Sequence, residues 1–404
     1  MKVLVVTQYY WPEPFNTTEI CEELAARGHD VTVLTGLPNY PEGKIYPGYE
    51  GQKRREESRG GVRIVRSWLW PRKSGAINRF LNYESFSCAA SRIARKLDKD
   101  FDVVLSCEIS PIMSANPAIA YARNTGAPLL LYVIDIWPEC LLAGGISKHS
   151  AIYWHYGKVS GKIYNAADRI AVTSPLFKDY ISKLTGKQLD AAYLPQFAED
   201  IFGGSDVARP EGYSERHINL TFAGNIGAAQ SVQTIVRAAA LLKEEDILFH
   251  IVGSGSELEA CKKLADELRV AGIVFHGRHP LEEMPGYYAA SDAMLATFAN
   301  NPTLGFTLPR KIQSYMAAGK PVLGTLVGES RRVVEEAGCG LCCEAEDYKA
   351  LASICRHFAS LSQKTRDDYG KRALEYYRSH YSREGFFKTL ETELYRLKGT
   401  RHAQ

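Results

Sequence analysis

Residues 1–35 read MKVLVVTQYYWPEPFNTTEICEELAARGHDVTVLT, and this stretch decides the fold. Residues 1–7 are a continuous apolar run rich in valine, which is typical of a strand buried on both faces of a parallel sheet. A proline-rich loop leads to a helical pattern over 17–27, which Gly28 ends, and the next apolar run is 30–35. The order strand, helix, strand predicts a βαβ unit with a right-handed crossover.

The same alternation continues along the rest of the chain, in two series. The first series adds apolar runs at 62–65, 103–106, 129–134 and 169–173, which predict five or six strands of one parallel sheet. The second series predicts a further sheet, with strands at 218–223, 247–252, 273–276, 293–296 and 321–324 and helices at 231–243, 257–268, 281–289 and 309–318. We therefore expect an α/β protein with two doubly wound, Rossmann-like domains.

The domain boundary is predicted from a segment that breaks this rhythm. Residues 194–215 contain two prolines and three glycines without periodicity, which is typical of an interdomain linker. We place the first domain at 1–200 and the second at 201–381. A helical pattern broken near Tyr381 and Ser382 leads to a terminal helix at about 382–404, which we expect to cross back to the first domain.

Composition limits the partners and cofactors. The 404 residues carry a net charge of only +3, so we expect no nucleic-acid partner. The nine cysteines are odd in number and lie mostly in apolar runs, which favours reduced, structural thiols and a cytoplasmic protein. Cys339, Cys342 and Cys343 have no matching pair of ligands elsewhere, and no D-x-D motif stands in a metal-binding context, so no metal is expected. No apolar run is long enough to cross a bilayer, so membrane contact would be peripheral.

Five motifs follow one another along nearly the whole chain. They are TQYYWPEPFNTTEICEELAARGHDVTVLTGLPNYPEGKIYPGY at 7–49, YVIDIWPE at 132–139, FAGNIGAAQSV at 222–232, HIVGSGSE at 250–257 and LPRKIQSYMAAGKPVLGTLVGE at 308–329. In residues and in order these motifs resemble retaining bacterial glycosyltransferases of family 4. The resemblance is closest to the O-antigen and capsule branch that transfers N-acetyl-L-fucosamine.

This resemblance implies the GT-B fold, in which two Rossmann-like domains face a central cleft. The second domain would bind a nucleotide-sugar donor, with a UDP-sugar preferred, and the first would present the acceptor. The implied reaction is metal-independent transfer with retention of configuration, without any other cofactor. The implied acceptor is a glycan linked to polyprenyl diphosphate, in O-antigen or capsule biosynthesis at the cytoplasmic face of the cell membrane.

The residues around 309–311 predict a diphosphate site. Pro309 fits the first turn of a helix with Thr307 as its N-cap, so Arg310 and Lys311 would add two cations to a helix N-terminus. Unpaired N–H groups and the helix dipole both favour anions there, and fixed positive charge would stabilise a leaving diphosphate. The alternative is a solvated basic turn.

Glycine loops after predicted strands give the second donor signal. In GNIGAAQ (224–230), Gly224 would let the backbone approach a phosphate, and Gly253 in VGSG would do the same. The family often has an arginine and a lysine five positions apart in the first loop. This chain has Asn225 and Gln230 instead, which leaves Lys311 as the cation. The alternative is a pair of solvated loops.

Four more residues complete the predicted donor-binding set: Asn16, Arg278, Ser314 and Glu329. The family carries two glutamates eight positions apart, and Phe306 and Ser314 stand at those positions, so ribose contact at Ser314 departs from the pattern. Glu329 lies beyond the next strand and would bring a carboxylate to the donor, with a surface loop as the alternative. Asn16, in the first βα loop, would donate to a phosphate.

Two carboxylates of the first domain are predicted catalytic residues together with Lys311. Asp135 follows the strand at 129–134, where the family often has a histidine, and would hydrogen-bond the donor sugar or stabilise developing positive charge. The alternative is that Asp135 only caps the following turn. Glu13, in the first βα loop, would accept the proton of the acceptor hydroxyl, with an exposed loop glutamate as the alternative.

A basic and aromatic segment predicts contact with an anionic membrane. The basic residues are Arg54, Arg55, Arg59, Arg63, Arg66, Arg72, Lys73 and Arg79. Of these, Arg63, Arg66, Arg72, Lys73 and Arg79 surround WLWP at 68–71, and Ile77, Phe80, Leu81 and Phe86 follow at spacings compatible with one helical face. Cations beside tryptophan and an amphipathic helix suit a bilayer interface. The alternative is that the aromatic residues pack into the first domain and the arginines are solvated.

Two other functions remain open on the sequence alone. A sugar-nucleotide epimerase can have the same architecture, and it would need no acceptor. The missing glutamate pair and the missing arginine and lysine also suit a catalytically inactive protein that only binds sugar nucleotides, which turnover would exclude.

Overall fold

The computed structural model describes residues 1–52, 54–143, 145–199, 201 and 209–401. The chain forms two compact units, 1–194 with 387–404 and 195–386. Gly203 and Gly204 of the predicted linker lie outside the described residues. Each unit has its own parallel sheet with helices, so the predicted class, two Rossmann-like α/β domains, is confirmed.

The first unit contains an eight-stranded sheet among its described residues. Its elements are β1 Lys2–Val6, α1 Thr17–Ala26, β2 Asp30–Gly36, β3 Glu56–Arg59, β4 Val62–Ser67, α2 Ala76–Ala94, β5 Val103–Glu108, α3 Asn116–Thr125, β6 Leu129–Val133, α4 Cys140–Ala143, α5 Ala151–Tyr164, β7 Arg169–Val172, α6 Pro175–Thr185 and β8 Ala191–Tyr193. The strand order is β3-β4-β2-β1-β5-β6-β7-β8, and only β3 is antiparallel to its neighbour. In β1 the residues Val3 to Val6 are all fully buried, as the apolar run predicts.

The prediction of five or six strands was wrong, because β3 and β8 were missed. β3 reads EESR and lies at the edge of the sheet, beside β4 only. An edge strand of four polar residues has neither an apolar run nor alternation, so periodicity does not detect it. β8 has three residues, which is too short for a pattern.

The second unit contains a six-stranded sheet in the order β11-β10-β9-β12-β13-β14, all parallel. Its elements are β9 Ile218–Ala223, α7 Val232–Ala240, β10 Ile247–Val252, α8 Leu258–Glu267, β11 Ile273–Gly277, α9 Met284–Ala290, β12 Ala293–Thr297, α10 Arg310–Ala317, β13 Val322–Thr325, α11 Gly328–Glu336, β14 Gly340–Cys343, α12 Tyr348–Ser360 and α13 Gln363–His380. Apolar clusters cover both faces of this sheet, one containing Phe249 with α7 and the other Tyr315 of α10. Every strand therefore ends at one edge, where ligands of open α/β sheets bind.

The last helix, α14, spans Arg383–Arg401 and follows the predicted break at Tyr381 and Ser382. From Phe387 onward it belongs to the first unit. Its Leu390 and Leu394 are buried there, and its Glu393 accepts from Arg169 Nε at 2.7 Å. The helix therefore completes the core of the first unit.

The basic and aromatic segment divides into a buried and an exposed part. Arg66 is fully buried, ion-paired with Glu57 at 2.6 Å, and its guanidinium donates to the carbonyl oxygens of Gly36 and Trp11. The prediction that Arg66 meets a membrane was wrong, because this side chain ties β4 to the end of β2, to β3 and to the loop after β1. Phe86 is also buried, so the predicted apolar face of α2 does not include it.

Within the described ranges, none of the helices combines the length and the apolar composition that crossing a bilayer requires.

Candidate functional site

Two glycine loops meet at the edge of the second sheet where its strands end. Gly253, after β10, has a φ of +146°, and a Cβ there would lie 1.8 Å from the carbonyl oxygen of Gly224. Gly224 follows β9 and has a φ of +134°. Only glycine fits this close approach of two backbones without rearrangement. The result is that the two loops pack backbone against backbone at this edge of the sheet.

Lys311 lies directly beside these loops. Its Nζ is buried without a hydrogen-bond partner and is 4.1 Å from the centre of the Phe222 ring. A Cβ on Gly224 would lie 3.0 Å from this Nζ, so the glycine makes room for the lysine. Burial lowers the pKa of Lys311 to about 7. A buried amine without a counter-charge is an incomplete ion pair that an anionic ligand would complete.

The helix that carries Lys311 begins later than predicted. Pro309 has a ψ of 138°, which is extended, so it is the N-cap of α10 rather than part of the first turn. Thr307 has a φ of −109° and a ψ of 150° and lies two residues before the N-cap, so its prediction as N-cap was wrong. Arg310 and Lys311 are consequently the first two helical residues, where the backbone N–H groups are not used inside the helix.

Asn225 and Gln230 brace the first glycine loop. Asn225 Nδ2 donates to Gln230 Oε1 at 3.2 Å, and the backbone N–H of Gly227 donates to the same oxygen at 3.3 Å. Asn225 is exposed, so its amide also faces solvent. Donor contact by these two residues stays a prediction.

The remaining predicted donor residues are engaged elsewhere or stand apart. Arg310 pairs with Glu199 at 3.3 Å, and Ser314 Oγ donates to the same carboxylate at 2.7 Å. Both oxygens of the buried Glu329 accept from Arg332, at 2.7 and 2.9 Å. Arg278 is exposed just beyond β11, at the same sheet edge as Gly253.

Glu199 was missed by sequence reasoning. It lies 115 residues before Ser314, in a segment without secondary structure, and no local pattern marks it. Its contact with Ser314 places a carboxylate about one helical turn from Lys311. Arg310 is therefore not a second unpaired cation beside Lys311.

In the first unit, Glu13 joins two loops. Its side chain is 3% exposed, and its Oε1 accepts from the N–H groups of Asn39 and Tyr40 at 2.8 and 2.7 Å. Its Oε2 accepts from the N–H of Tyr10 at 3.3 Å. Burial raises the pKa of Glu13 to about 7, although the three backbone bonds oppose the rise. A carboxylate with that pKa is suited to accept a proton near neutral pH.

Asp135 and Glu108 end neighbouring strands of the first sheet. Asp135 is partly exposed after β6, and its Oδ2 accepts from the N–H of Ser110 at 3.1 Å. Glu108, the last residue of β5, is fully buried, and neither carboxylate oxygen has a hydrogen-bond partner. Burial raises the pKa of both groups, and the charge of Asp135 raises that of Glu108 further. Two neighbouring carboxyl groups do not readily ionise together, so one of them tends to retain a proton.

Glu108 was another residue that sequence reasoning missed, because a single glutamate at the end of an apolar strand gives no motif. Asn16, which was predicted, precedes α1 as its N-cap, and its side chain is partly exposed. Among the residues that the structure describes, no group of three or more histidine, cysteine, aspartate or glutamate side chains is placed to hold a metal ion.

Comparison with protein-family models matches both parts of the chain. Residues 16–195 match the glycosyl transferase 4-like domain, and residues 217–360 match glycosyl transferases group 1. These two matches agree with the division into two units, and the second includes Gly224, Gly253 and Lys311.

Comparison with individual proteins gives the same picture. The probable glycosyltransferase WbjE of Pseudomonas aeruginosa is 29% identical over 64% of this chain and 66% of its own length. The putative colanic acid biosynthesis glycosyl transferase WcaI of Escherichia coli K12 is 24% identical over 93% of this chain and 97% of its own. Among solved structures, WaaG, a glycosyltransferase involved in lipopolysaccharide biosynthesis, is 17% identical and covers 98% of both chains with a TM-score of 0.65. HepE of Anabaena in complex with UDP and glucose is 15% identical and covers 98% of this chain and 99% of its own with a TM-score of 0.69.

The family models account for the sequence of each unit, and the solved structures account for the fold of nearly the whole chain. The chain is a glycosyltransferase with the GT-B fold.

Proposed function

We propose that this glycosyltransferase moves a sugar from a UDP-sugar to a glycan carried on polyprenyl diphosphate, in the biosynthesis of an O-antigen or capsule polysaccharide. The observation that carries the donor part is the buried, unpaired Nζ of Lys311 beside Gly224 and Gly253. HepE was solved with UDP, which supports a uridine donor. The names of WcaI and WaaG refer to colanic acid and lipopolysaccharide, which supports a surface polysaccharide as the product.

In the proposed reaction, the bond between the sugar's anomeric carbon and the UDP oxygen breaks, and the acceptor oxygen forms the new bond with retention of configuration. Lys311 and the N–H groups at the start of α10 stabilise the negative charge that develops on the leaving diphosphate. The glycine loops let the phosphates reach the backbone. Glu13 is the predicted acceptor of the hydroxyl proton, and the carboxyl of Asp135 is predicted to bond the donor sugar. N-acetyl-L-fucosamine is the first sugar to test.

A binding screen followed by a turnover assay tests this function. Thermal unfolding is measured with UDP, GDP and ADP and with several sugars of each, because a ligand that binds only the folded state raises Tm by mass action. We expect UDP and its sugars to raise Tm most. Radiolabelled UDP-sugar is then incubated with and without a synthetic polyprenyl-diphosphate saccharide.

The binding screen and the turnover assay together distinguish a transferase from an epimerase and from a protein that only binds the nucleotide sugar. A transferase extends the saccharide only in the complete mixture, with release of UDP. An epimerase would change the donor sugar without any acceptor. A protein that only binds would raise Tm without turnover with any acceptor offered, and that result, or selective binding of GDP, would contradict the proposal.

A further inference from the structure

The first unit exposes large apolar side chains close together in sequence. They are Trp68, Trp70, Ile77, Phe80 and Leu81, between 37% and 76% exposed. Trp68 and Trp70 lie in the turn after β4, and the other three lie in the first two turns of α2. Single exposed apolar residues are ordinary, but five within 14 positions of the chain form a patch that needs a partner.

The spacing on α2 puts this patch on one face of the helix. Ile77, Leu81 and Cys88 are exposed, and Glu84 between them is half-buried, which is the i, i+4, i+7, i+11 pattern of a single stripe. The opposite face, with Asn82 and Phe86, is buried in the unit. The outer face of the first two turns of α2, with Ile77, Phe80 and Leu81, is therefore apolar although it faces solvent, and the half-buried Glu84 follows it along the helix.

Helix α5 continues this surface. Ile152 is 51% and Trp154 64% exposed in its first turn. Burial raises the pKa of Glu84 on α2, and the charge of His155 on α5 opposes that rise, so the two helices are electrostatic neighbours. Beside Trp154 lies a groove of about 730 Å³ whose lining includes Arg123, Lys158 and Lys162.

The charges in the segments that carry the patch are positive, with the half-buried Glu84 as the acid that borders them on α2. No aspartate or glutamate occurs between Glu57 and Glu84, and none occurs between Glu139 and Asp168. The exposed cations of these segments include Lys73, Arg79 and Lys158. Two arginines of the original prediction do not contribute, since Arg66 is buried and Arg63 pairs with Glu56 and Asp98.

We propose that this surface, formed by Trp68, Trp70, Ile77, Phe80, Leu81, Ile152 and Trp154, docks onto an anionic lipid bilayer. Tryptophan and aliphatic side chains enter the interface while the cations bind the lipid phosphates. Both α2 and α5 begin where parallel strands end, after β4 and β6, so the docked surface lies at the same edge of the sheet as Asp135. A lipid-borne acceptor would then be held at the edge that carries the predicted acceptor residues. The docking itself does not depend on which sugar is transferred.

Vesicle sedimentation tests the docking with the full chain. The protein is mixed with vesicles of phosphatidylcholine alone or with phosphatidylglycerol, at low and high salt, and the bound fraction is measured. We expect binding to the anionic vesicles only, weakened but not abolished by salt, because screening removes the charge attraction but not the apolar insertion.

Matched variants locate the surface. Ile77→Ser with Phe80→Ser removes two exposed apolar residues of the patch, and Leu241→Ser with Leu281→Ser removes two that are 50% and 47% exposed in the second unit. Lys73→Glu with Arg79→Glu reverses two patch charges, and Lys349→Glu with Lys364→Glu reverses two exposed charges of the second unit. Each patch pair should lower the vesicle partition coefficient at least about tenfold, and the control pairs should not. Thermal unfolding confirms that each variant is folded.

Two results would overturn the docking: equal binding to neutral and anionic vesicles, or patch variants that bind as tightly as the unmodified protein. If the patch instead covers a second copy of the chain, vesicle binding is absent and Ile77→Ser with Phe80→Ser converts a dimer to a monomer in gel filtration. Turnover with a water-soluble acceptor should be unchanged by the patch variants, so failure to dock is distinguishable from failure of the proposed transfer.

Discussion

Lys311 is a residue that the sequence pattern predicts for the diphosphate site and that the structure buries without a counter-charge. Its amine is buried beside Phe222 without a partner, and keeping a charge there destabilises the protein on its own. Such a group is expected where a ligand supplies the missing counter-charge. The same residue should therefore lower the stability of the unliganded protein and raise its affinity for a diphosphate.

The substitution Lys311→Met tests both parts of that statement. Methionine has a similar volume without charge, so we expect the unliganded variant to have a higher Tm than the unmodified protein. UDP should no longer raise Tm, and turnover should fall at least about 100-fold, the loss typical of one group that stabilises transition-state charge. Lys349→Met, at an exposed position, is the control. Unchanged turnover in a folded Lys311→Met protein would remove this residue from the site.

The pH dependence of UDP binding follows from the same amine. Its pKa is about 7 in the folded chain and 10.5 without burial, so the folded protein binds fewer protons than the unfolded one between these values. The contribution of this amine to the free energy of unfolding consequently falls as pH decreases from 10.5 to 7, and it changes no further below pH 7. Bound diphosphate favours the protonated amine, so the Kd for UDP should rise up to about tenfold per pH unit above 7. Titration calorimetry of UDP binding above pH 7, in several buffers, should show uptake of about one proton. Equal proton uptake by Lys311→Met would contradict the assignment of this proton to Lys311.

Glu13 allows a second test at the residue scale. In Glu13→Gln the amide oxygen can still accept from Asn39 and Tyr40, but the amide nitrogen then faces the N–H of Tyr10, which should cost about 1–3 kcal/mol of stability. If Glu13 takes the acceptor proton, kcat should also fall about 10²- to 10⁴-fold, and the rise of the rate through pH 7 should disappear.

The control for this substitution is Glu50→Gln. Glu50 is exposed and accepts one N–H bond, from Gly48 at 2.7 Å. A Glu13→Gln protein that is less stable but retains its kcat and pH profile would assign Glu13 a purely structural role, joining the loops after β1 and β2.

Residues of this site differ in how far the sequence alone can locate them. Lys311 and Gly224 were predictable because each belongs to a local pattern, a helix start or a glycine turn after a strand. Glu199 and Glu108 were not, because their importance arises from packing against residues far away in the chain or from burial at a strand end. Arg310 was predicted to add a second cation to the diphosphate site, and only the fold reveals that Glu199 pairs with it.

At the scale of elements, α14 shows how a terminal helix stabilises a unit whose sheet was completed much earlier in the chain. Leu390, Leu394 and Leu397 are buried, and Lys398 Nζ donates to Asp102 at 2.9 Å. Glu391 of the same helix contacts His29, the residue before β2, at 2.9 Å. The apolar contacts should dominate, since partly exposed ion pairs contribute little.

Leu394→Ala measures the contribution of this helix. The side chain is fully buried, so its truncation should cost about 2–5 kcal/mol of unfolding free energy. Lys388→Ala, at an exposed position of the same helix, should change stability by no more than about 0.5 kcal/mol. Urea denaturation followed by circular dichroism checks both. Equal midpoints for the two variants would show that α14 does not stabilise the first unit.

Long buried strands were predicted closely, whereas short and edge elements were not. The strands β9 and β10 have the predicted bounds, because a parallel strand buried on both faces is a continuous apolar run. β3 carries two glutamates, a serine and an arginine, and only pairing with β4 makes it a strand. The start of α10 was misplaced by one residue because proline is compatible with both an N-cap and a first turn, and the ψ that separates them is not encoded locally.

At the scale of the whole molecule, the small net charge of +3 conceals an uneven distribution. Acid-free segments border the exposed apolar surface of the first unit, and one unpaired amine lies at the sheet edge of the second. Composition gives the sum of the charges but not their placement, so the fold was needed to separate Arg66 inside the protein from Arg79 on the surface. The two-domain organisation was predictable because it depends on the number and order of apolar runs.

The last prediction concerns metal independence. A metal ion in a transferase neutralises the leaving diphosphate. Here the protonated amine of Lys311 and the N–H groups of α10 are proposed to do so, and no group of three or more potential ligands gathers within the described ranges. Turnover should therefore be unchanged in excess EDTA, and added magnesium or manganese should not restore activity to Lys311→Met. Loss of activity on chelation with recovery on adding magnesium would instead mean that a metal bridges the diphosphate, and Lys311 would then be a secondary contact rather than the principal counter-charge.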